Sequence, residues 1–320
     1  MVSINSVLGP ISLDDLGVTL IHEHIVASYN SNYKAIELNY AISTLKKARI
    51  MGLNSLVEVT PRIVHVGRKG GRNIPVLQEV SRKSGVNILC CTGYYDPTPE
   101  VKKMTVEEIT EIMVREIEEG INGTDVRAAI IKVKGNDFVL SKVEKKIFEA
   151  AAKAQIRTGV PIQTHCIKGL KTQFETLTSA GANPNHCAFA HVSTTWGWEG
   201  RSVSQQADFL LDFARRGACF VFDNLGWEQY VSHEDQFYLI RRLVDAGFAD
   251  KVFISLDLNW RVKDNGVIER EGDSVNPESR KRDFPYLFTH GIPLLEEAGF
   301  SEKLIHKFLV ENPKEYFTPF

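Results

Sequence analysis

The stretch Thr19-Leu20-Ile21-His22-Glu23-His24-Ile25 sets two histidines, two apart, at the end of a short apolar run. Side chains alternate faces along a β-strand, so His22 and His24 share a face and Glu23 opposes them. Two imidazoles one strand step apart can grip a single cation. Such a pair also arises on ordinary surface turns. What gives this one weight is the supply of further metal-ligand side chains, each near the end of its own expected strand.

Short apolar runs alternate with longer amphipathic segments from end to end. Strands are expected at Thr19–Ile25, Ser55–Thr60, Val86–Gly93, Ala128–Lys134, Val160–Cys166, Cys187–Val192, Cys219–Asn224 and Val252–Leu258, eight in all. Helices are expected at Ala41–Met51, Pro75–Ser84, Thr105–Glu119, Lys142–Thr158, Leu170–Ala180, Ser204–Arg216 and Glu234–Ala246, with a closing helix near Leu304–Val310. Thr105 with Glu108 and Ser141 with Glu144 have capping-box spacing, and Gly85, Gly159, Gly181, Gly217 and Gly247 stand where helices end. Eight strands alternating with helices predict parallel βαβ units closed into a (β/α)8 TIM barrel of the α/β class. An open doubly wound sheet is the rival, but no Gly-x-Gly-x-x-Gly follows the first strand. No linker or repeat divides the chain, so residues 1–320 are expected to form one domain.

In a barrel the strand ends converge on one mouth, where the chemistry lies. The first strand brings His22 and His24, the fourth Lys132, the fifth His165, the sixth His191 and the eighth Asp257. In Ile130-Ile131-Lys132-Val133-Lys134, Lys132 has the opposite parity from Ile131 and Val133, and so points inward if those two pack under the helices. A bare ammonium there would be costly to desolvate and would repel cations. Addition of CO2 turns it into an anionic carbamate with two oxygens, able to bridge metal ions. A lysine snorkelling to the mouth is the plainer reading.

The ordered set resembles the phosphotriesterase family of the amidohydrolase superfamily, including its phosphotriesterase-like lactonases. The resemblance runs over nearly the whole chain, through Thr19–His24, Ile130–Val133, Thr164-His165, Ala190-His191, Ser255–Asp257 and Glu311-Asn312-Pro313-Lys314. It implies a binuclear centre. One divalent ion would take His22, His24 and Asp257 and the other His165 and His191, with N6-carboxylated Lys132 and a nucleophilic hydroxide bridging both. Nitrogen and oxygen ligands suit zinc and leave manganese, cobalt and iron open. Asp257 would serve as ligand and proton acceptor, passing its proton to the leaving group.

Thr92-Gly93-Tyr94-Tyr95 is similar to a lactonase segment whose tyrosine sits beside the metals, which makes Tyr95 a catalytic candidate; packing at a strand end is the alternative. Asp223-Asn224 departs from acyl-homoserine lactonases, which carry Arg after the Asp. Basic residues near the expected mouth are Lys134, Lys168, Arg261, Lys263, Arg270, Arg280, Lys281 and Arg282. Of these, Lys134, Lys168, Arg280 and Arg282 are candidates to bind an anionic group on the substrate, as in a phosphorylated sugar lactone. Arg68-Lys69-Gly70-Gly71-Arg72, with His65 nearby, reads as a loop opening a helix, with phosphate contact as an alternative. His186, His233, His290 and His306 read as surface or packing residues, and Trp196, Trp198, Trp227 and Trp260 either wall the pocket or pack outside it.

Composition sets outer limits. A net charge of −2 argues against a nucleic-acid partner, and no apolar run approaches the ~20 residues of a membrane span. Five cysteines without zinc-knuckle spacing read as buried reduced thiols, consistent with a cytoplasmic location, and no signal peptide is visible. The expectation is a metal-dependent hydrolase of small molecules, a lactonase acting on sugar lactones, with a homodimer implied by the resemblance. Phosphotriester hydrolysis, other ester or amide hydrolysis, and a non-catalytic ligand-binding barrel are the alternatives.

Overall fold

The computed structural model describes residues 2–25, 34–61, 72–263, 265–270 and 282–320. A hairpin of β1 (Ser3–Ser6) and β2 (Gly9–Ser12) precedes the first wall strand, β3 (Val18–Glu23). The wall continues with β4 (Leu53–Glu58), β5 (Asn87–Tyr94), β6 (Ile130–Lys134), β7 (Ile162–His165), β8 (Cys187–Ala190), β9 (Cys219–Phe222) and β10 (Val252–Ile254). These eight lie in chain order, each parallel to its neighbour. The expected TIM barrel is what forms.

Crossover helices cover the wall: α1 (Lys34–Met51), α2 (Ile74–Ser84), then α3 (Pro99–Lys103) with α4 (Val106–Glu118), α5 (Lys142–Thr158), α6 (Leu170–Ser179), α7 (Val203–Arg215) and α8 (His233–Asp245). Both expected capping boxes form, and Ser202 with Gln205 makes a third at the start of α7. α1 begins at Lys34, earlier than Ala41. Gly159 ends α5 at φ +70°, where a side chain would be strained.

Alternation along each strand sorts the core into two layers. Leu20, Leu56, Ile88, Ile131, Val133, Phe189, Phe220 and Ile254 face the helices. Ile21, Val57, Leu89, Ile130, Ala188, Val221 and Phe253 fill the inside, plugged at the base by Ile4 and Leu13 near the N-terminus and by Tyr316 and Phe317 of α11 (Asn312–Phe317). Two shorter helices, α9 (Ile292–Glu297) and α10 (Glu302–His306), lead into α11. Asn312 Nδ2 donates to Ala249 O at 2.8 Å and Val252 O at 2.7 Å, tying the closing helix to the start of β10.

The last strand was expected to run to Leu258, but β10 stops at Ile254. Beyond it the ladder gives way to contacts from β3. Asp257 N donates to His22 O at 3.1 Å and His24 N donates to Leu258 O at 3.2 Å. The loop after β10 contains a hairpin of β11 (Trp260–Val262) and β12 (Ile268–Arg270), which the sequence pattern did not disclose.

Candidate metal centre

Simple alternation from Leu20 would turn His22 outward. It does not, because β3 carries an irregularity: three residue steps from Leu20 to Glu23 oppose two from Leu56 to Glu58. The extra residue re-aims the strand so that Ile21 and His22 both face in, as bulges commonly do beside functional sites. Lys132 follows the expected parity: its neighbours Ile131 and Val133 pack under the helices, and its own side chain is fully buried. Two site residues adopt left-handed backbone conformations, His191 at φ +63° and Asp257 at φ +47°. Each follows a strand end, and the reversal turns its side chain into the mouth. For residues other than glycine this conformation is sparsely populated and is held by its surroundings.

The six expected side chains converge. His24 Nε2 lies 3.2 Å and His22 Nε2 3.5 Å from Asp257 Oδ1, and His191 Nδ1 lies 3.7 Å from Asp257 Oδ2. His165 Nδ1 faces His191 Nε2 at 2.9 Å, and the His22 and His191 ring centroids are 4.8 Å apart. His22, His191 and Asp257 offer ligand atoms all within 4.8 Å of one another, a spacing one ion can span. Lys132 Nζ donates to Gln163 Oε1 at 3.2 Å, and Gln163 Nε2 donates to Ile21 O at 2.9 Å. Tyr95 OH lies 3.1 Å from His165 Nδ1.

Several residues that the sequence reading left aside orient these groups. Asp223, fully buried at the end of β9, accepts from His191 Nδ1 at 3.1 Å. That bond puts the proton on Nδ1 and leaves the Nε2 lone pair facing His165. The other Asp223 oxygen lies 3.4 Å from His22 Nδ1, without hydrogen-bond geometry. Thr60 Oγ1 pairs with His24 Nδ1 at 2.7 Å. Glu23 sits on the opposite side of the strand and receives Ser255 Oγ, Leu256 N and Leu258 N. Parity along β7 could have disclosed Gln163, two residues before His165; nothing in the sequence pattern distinguishes Thr60.

The electrostatics follow from burial. It pushes the Lys132 ammonium down to about 8 and holds His22 and His165 well below the usual imidazole range, helped by their cationic neighbours. At His24 burial opposes the charged form, but the hydrogen bond and charge of Asp257 outweigh it and raise the pKa. Burial also works against the Asp257 carboxylate, yet His24, His191 and Lys132 bring it down to about 2. The unshared imidazole lone pairs and one carboxylate make a donor set suited to a borderline divalent cation. The residues fit a metal centre.

Above them opens a cavity of about 280 Å³ walled by Tyr95, Thr194, Trp196, Asn224, Trp227 and Tyr230. Trp196 and Trp227 thus belong to the pocket, whereas Trp198 and Trp260 are buried in the core. Asn224 Oδ1 is taken by the hydroxyls of Ser193 and Thr194.

The basic candidates are placed differently from expectation. Arg282 is buried: Nε donates to Leu225 O at 3.0 Å, Nη2 to Leu256 O, and the guanidinium covers the Trp227 ring at 4.1 Å. It packs behind the pocket wall instead of offering its charge to a ligand. Lys134 pairs with Asp96 at 3.3 Å and lies over the Tyr95 ring, and Lys168 lies over Phe138. Neither lines the cavity, and among the described residues no Lys or Arg does. Lys263 pairs with Glu269, and Arg270 donates to Tyr40. Arg72 is buried against Glu116. Arg280, Lys281, His65, Arg68 and Lys69 lie outside the described residues. Of the remaining histidines, His186 packs inside, with Nδ1 2.9 Å from Tyr316 O.

Residues 2–317 match the family model described as "Phosphotriesterase family". The chain belongs to the phosphotriesterase family. Members of this family are metal-dependent hydrolases with a binuclear centre that act on small molecules. The phosphotriesterase homology protein of Escherichia coli is 31% identical over 96% of this chain and 99% of its own length. The aryldialkylphosphatase of Saccharolobus solfataricus is 28% identical (95% and 96%), and the N-acetyltaurine hydrolase of Xenopus tropicalis 26% (98% and 97%). A triple mutant of the organophosphorus hydrolase from Deinococcus radiodurans superposes with a TM-score of 0.81 at 26% identity, covering 99% of this chain and 98% of that one. The E. coli homology protein, solved with phosphate in its active site, gives 0.76 at 29% identity, covering 95% and 100%. Among the described residues, no helix is long and apolar enough to cross a membrane.

Proposed function

We propose that this family member is a lactonase acting on an uncharged lactone, with sugar lactones as the preferred class. His22, His24 and Asp257 would hold one zinc-like divalent ion, His165 and His191 a second, and carboxylated Lys132 would lie between them. The observation that carries the substrate preference is the cavity lining above the candidate ligands: aromatic walls, hydroxyl and amide groups, and no Lys or Arg among the described residues. A phosphorylated lactone has less support, since Lys134, Lys168 and Arg282 are engaged elsewhere.

Divalent ions bound there would polarise the scissile carbonyl and bring a water's pKa toward neutrality. The chain supplies the rest. Asp257, ionised and only partly covered, takes the water's proton on a carboxylate oxygen and returns it to the leaving alkoxide. Tyr95 OH, at the cavity edge beside His165, donates a hydrogen bond to the substrate oxygen where charge develops. Trp196, Trp227 and Tyr230 flank the ring of a small ester and limit water access. Carboxylation of Lys132 joins its neutral Nζ to the carbon of CO2 and releases one proton; the fully buried amine among ligand side chains supports it.

Proton release on a pH indicator tests this reading, using metal-loaded protein with neutral sugar lactones, phosphorylated sugar lactones, acyl-homoserine lactones and an aryl phosphotriester. Turnover strongest with neutral lactones is expected; turnover only of the phosphotriester would sink the reading. A second reading, hydrolysis of an N-acyl amide, rests on the similarity to N-acetyltaurine hydrolases and adds an N-acetyl amide to the panel.

A further inference from the structure

We propose that Glu23 is a positioning residue for Asp257, and that its carboxylate does at the barrel seam what a backbone ladder does elsewhere. The inference rests on the reading of Asp257 as ligand and base. Neighbouring wall strands from β3 round to β10 are joined by parallel ladders, but the ordered ladder does not continue from β10 back to β3. In its place one carboxylate receives three donors: Ser255 Oγ at 2.7 Å and Leu256 N at 2.8 Å on Oε1, and Leu258 N at 2.9 Å on Oε2. Leu256 and Leu258 are the two chain neighbours of Asp257. Both amides flanking that residue are therefore held by one side chain.

What they hold is a strained conformation. Asp257 stands at φ +47°, which an L side chain leaves unless its surroundings fix it. The clamp works together with two backbone contacts across the seam, Asp257 N to His22 O and His24 N to Leu258 O. Ser255 Oγ also accepts from His22 N at 2.9 Å. The His22–His24 pair and Asp257 thus sit on opposite sides of a seam whose spacing Glu23 sets. Its position between the two histidines follows: strand alternation sends the histidines into the mouth and Glu23 toward the neighbouring segment.

A carboxylate suits this task where an amide does not. Glutamine at position 23 would keep one acceptor for Ser255 and Leu256, but its Nε2 would confront the Leu258 N–H donor with another donor. The variant Glu23→Gln is therefore nearly isosteric and releases one flank of Asp257.

The test has two arms. In metal-loaded Glu23→Gln, kcat for the best substrate of the panel should fall about 10- to 100-fold with KM within about twofold of wild type. In the metal-free variant, amide hydrogen exchange at Leu258 should speed up about tenfold or more relative to wild type, and a crystal structure should show Asp257 relaxed to negative φ. A lowered Tm with unchanged kcat and unchanged Asp257 φ would make Glu23 a barrel-closing residue only, and would overturn the proposal. If no substrate turns over even with wild type, the lactonase reading falls and the exchange arm alone decides this one. If Glu23→Gln does not fold, exchange in metal-free wild type decides. Leu256 and Leu258 amides as protected as those of the wall ladders support the clamp, and fast exchange there refutes it.

Discussion

Gln163 receives a hydrogen bond from Lys132 Nζ across 3.2 Å of the barrel interior, the one hydrogen-bond partner of that amine among the described residues. A single neutral acceptor is modest compensation for a fully buried amine. Lys132→Met, similar in length and without the nitrogen, should therefore fold well. It should bind at most one divalent ion per chain where wild type binds two, with hydrolysis reduced about 100-fold or more. Atomic absorption on gel-filtered protein reads the first quantity. Two tightly held ions in the variant would remove Lys132 from the centre.

Asp223 fixes the His191 tautomer through Nδ1. In Asp223→Asn a donor can replace the acceptor, and the imidazole loses its reason to present Nε2 inward. Affinity for zinc should fall about 10- to 100-fold in a chelator competition, while the far-UV spectrum stays that of wild type. An unchanged affinity would mean that ring packing alone orients His191.

Arg282 is spent on two backbone carbonyls and the Trp227 face. Arg282→Met should cost about 2–3 kcal/mol in urea unfolding, because buried carbonyls lose charged donors. Any change in KM should be alike for neutral and phosphorylated substrates. A selective loss with the phosphorylated one would restore Arg282 to a ligand-binding role.

The five cysteines are all buried. Burial pushes the thiols of Cys90 and Cys219 up to about 12 and raises those of Cys91, Cys166 and Cys187 well above the ordinary thiol range. The folded protein should react slowly with an aromatic disulfide reagent, and all five thiols should react after denaturation. A rapid native burst would place at least one thiol at the surface.

Burial holds the His186 imidazole below its ordinary value. The unfolded chain then takes up the proton first as pH falls. The contribution of neutral His186 to stability is thus complete above about pH 6.5 and declines below it. His186→Asn should flatten the fall in Tm between about pH 7 and pH 5, measured on metal-free protein. A curve parallel to that of wild type would show that His186 does not contribute to the acid slope.

The barrel was legible because its strands are apolar on both faces and its helices carry their own punctuation, as at Ser141-Lys142-Val143-Glu144 and Gly159. The convergence of His22, His24, Lys132, His165, His191 and Asp257 was legible because those side chains stand at strand ends whose order the fold preserves. Asp223, Gln163 and Thr60 were not singled out as orienting groups: Gln163 shares the parity of His165 on β7, whereas an acid or hydroxyl just past a strand end carries no spacing signal. Their roles come from register between strands. Lys134, Lys168 and Arg282 stand away from the cavity lining for a related reason: position after a strand does not say whether a side chain faces the mouth, and Arg282 turns inward against Trp227. The irregularity in β3 is invisible in sequence because it lies in the register against β4, where Glu23 stands opposite Glu58.

The seam between His22 and Ser255 spans 233 positions of chain. During synthesis the ribosome delivers the histidine pair near the start and the aspartate only near the end. Every nascent intermediate shorter than residue 257 therefore carries imidazoles that lack their carboxylate partner. The barrel's last closure and the completion of its proposed ligand set would be one event, so an ion captured earlier would meet an unfinished set of donors.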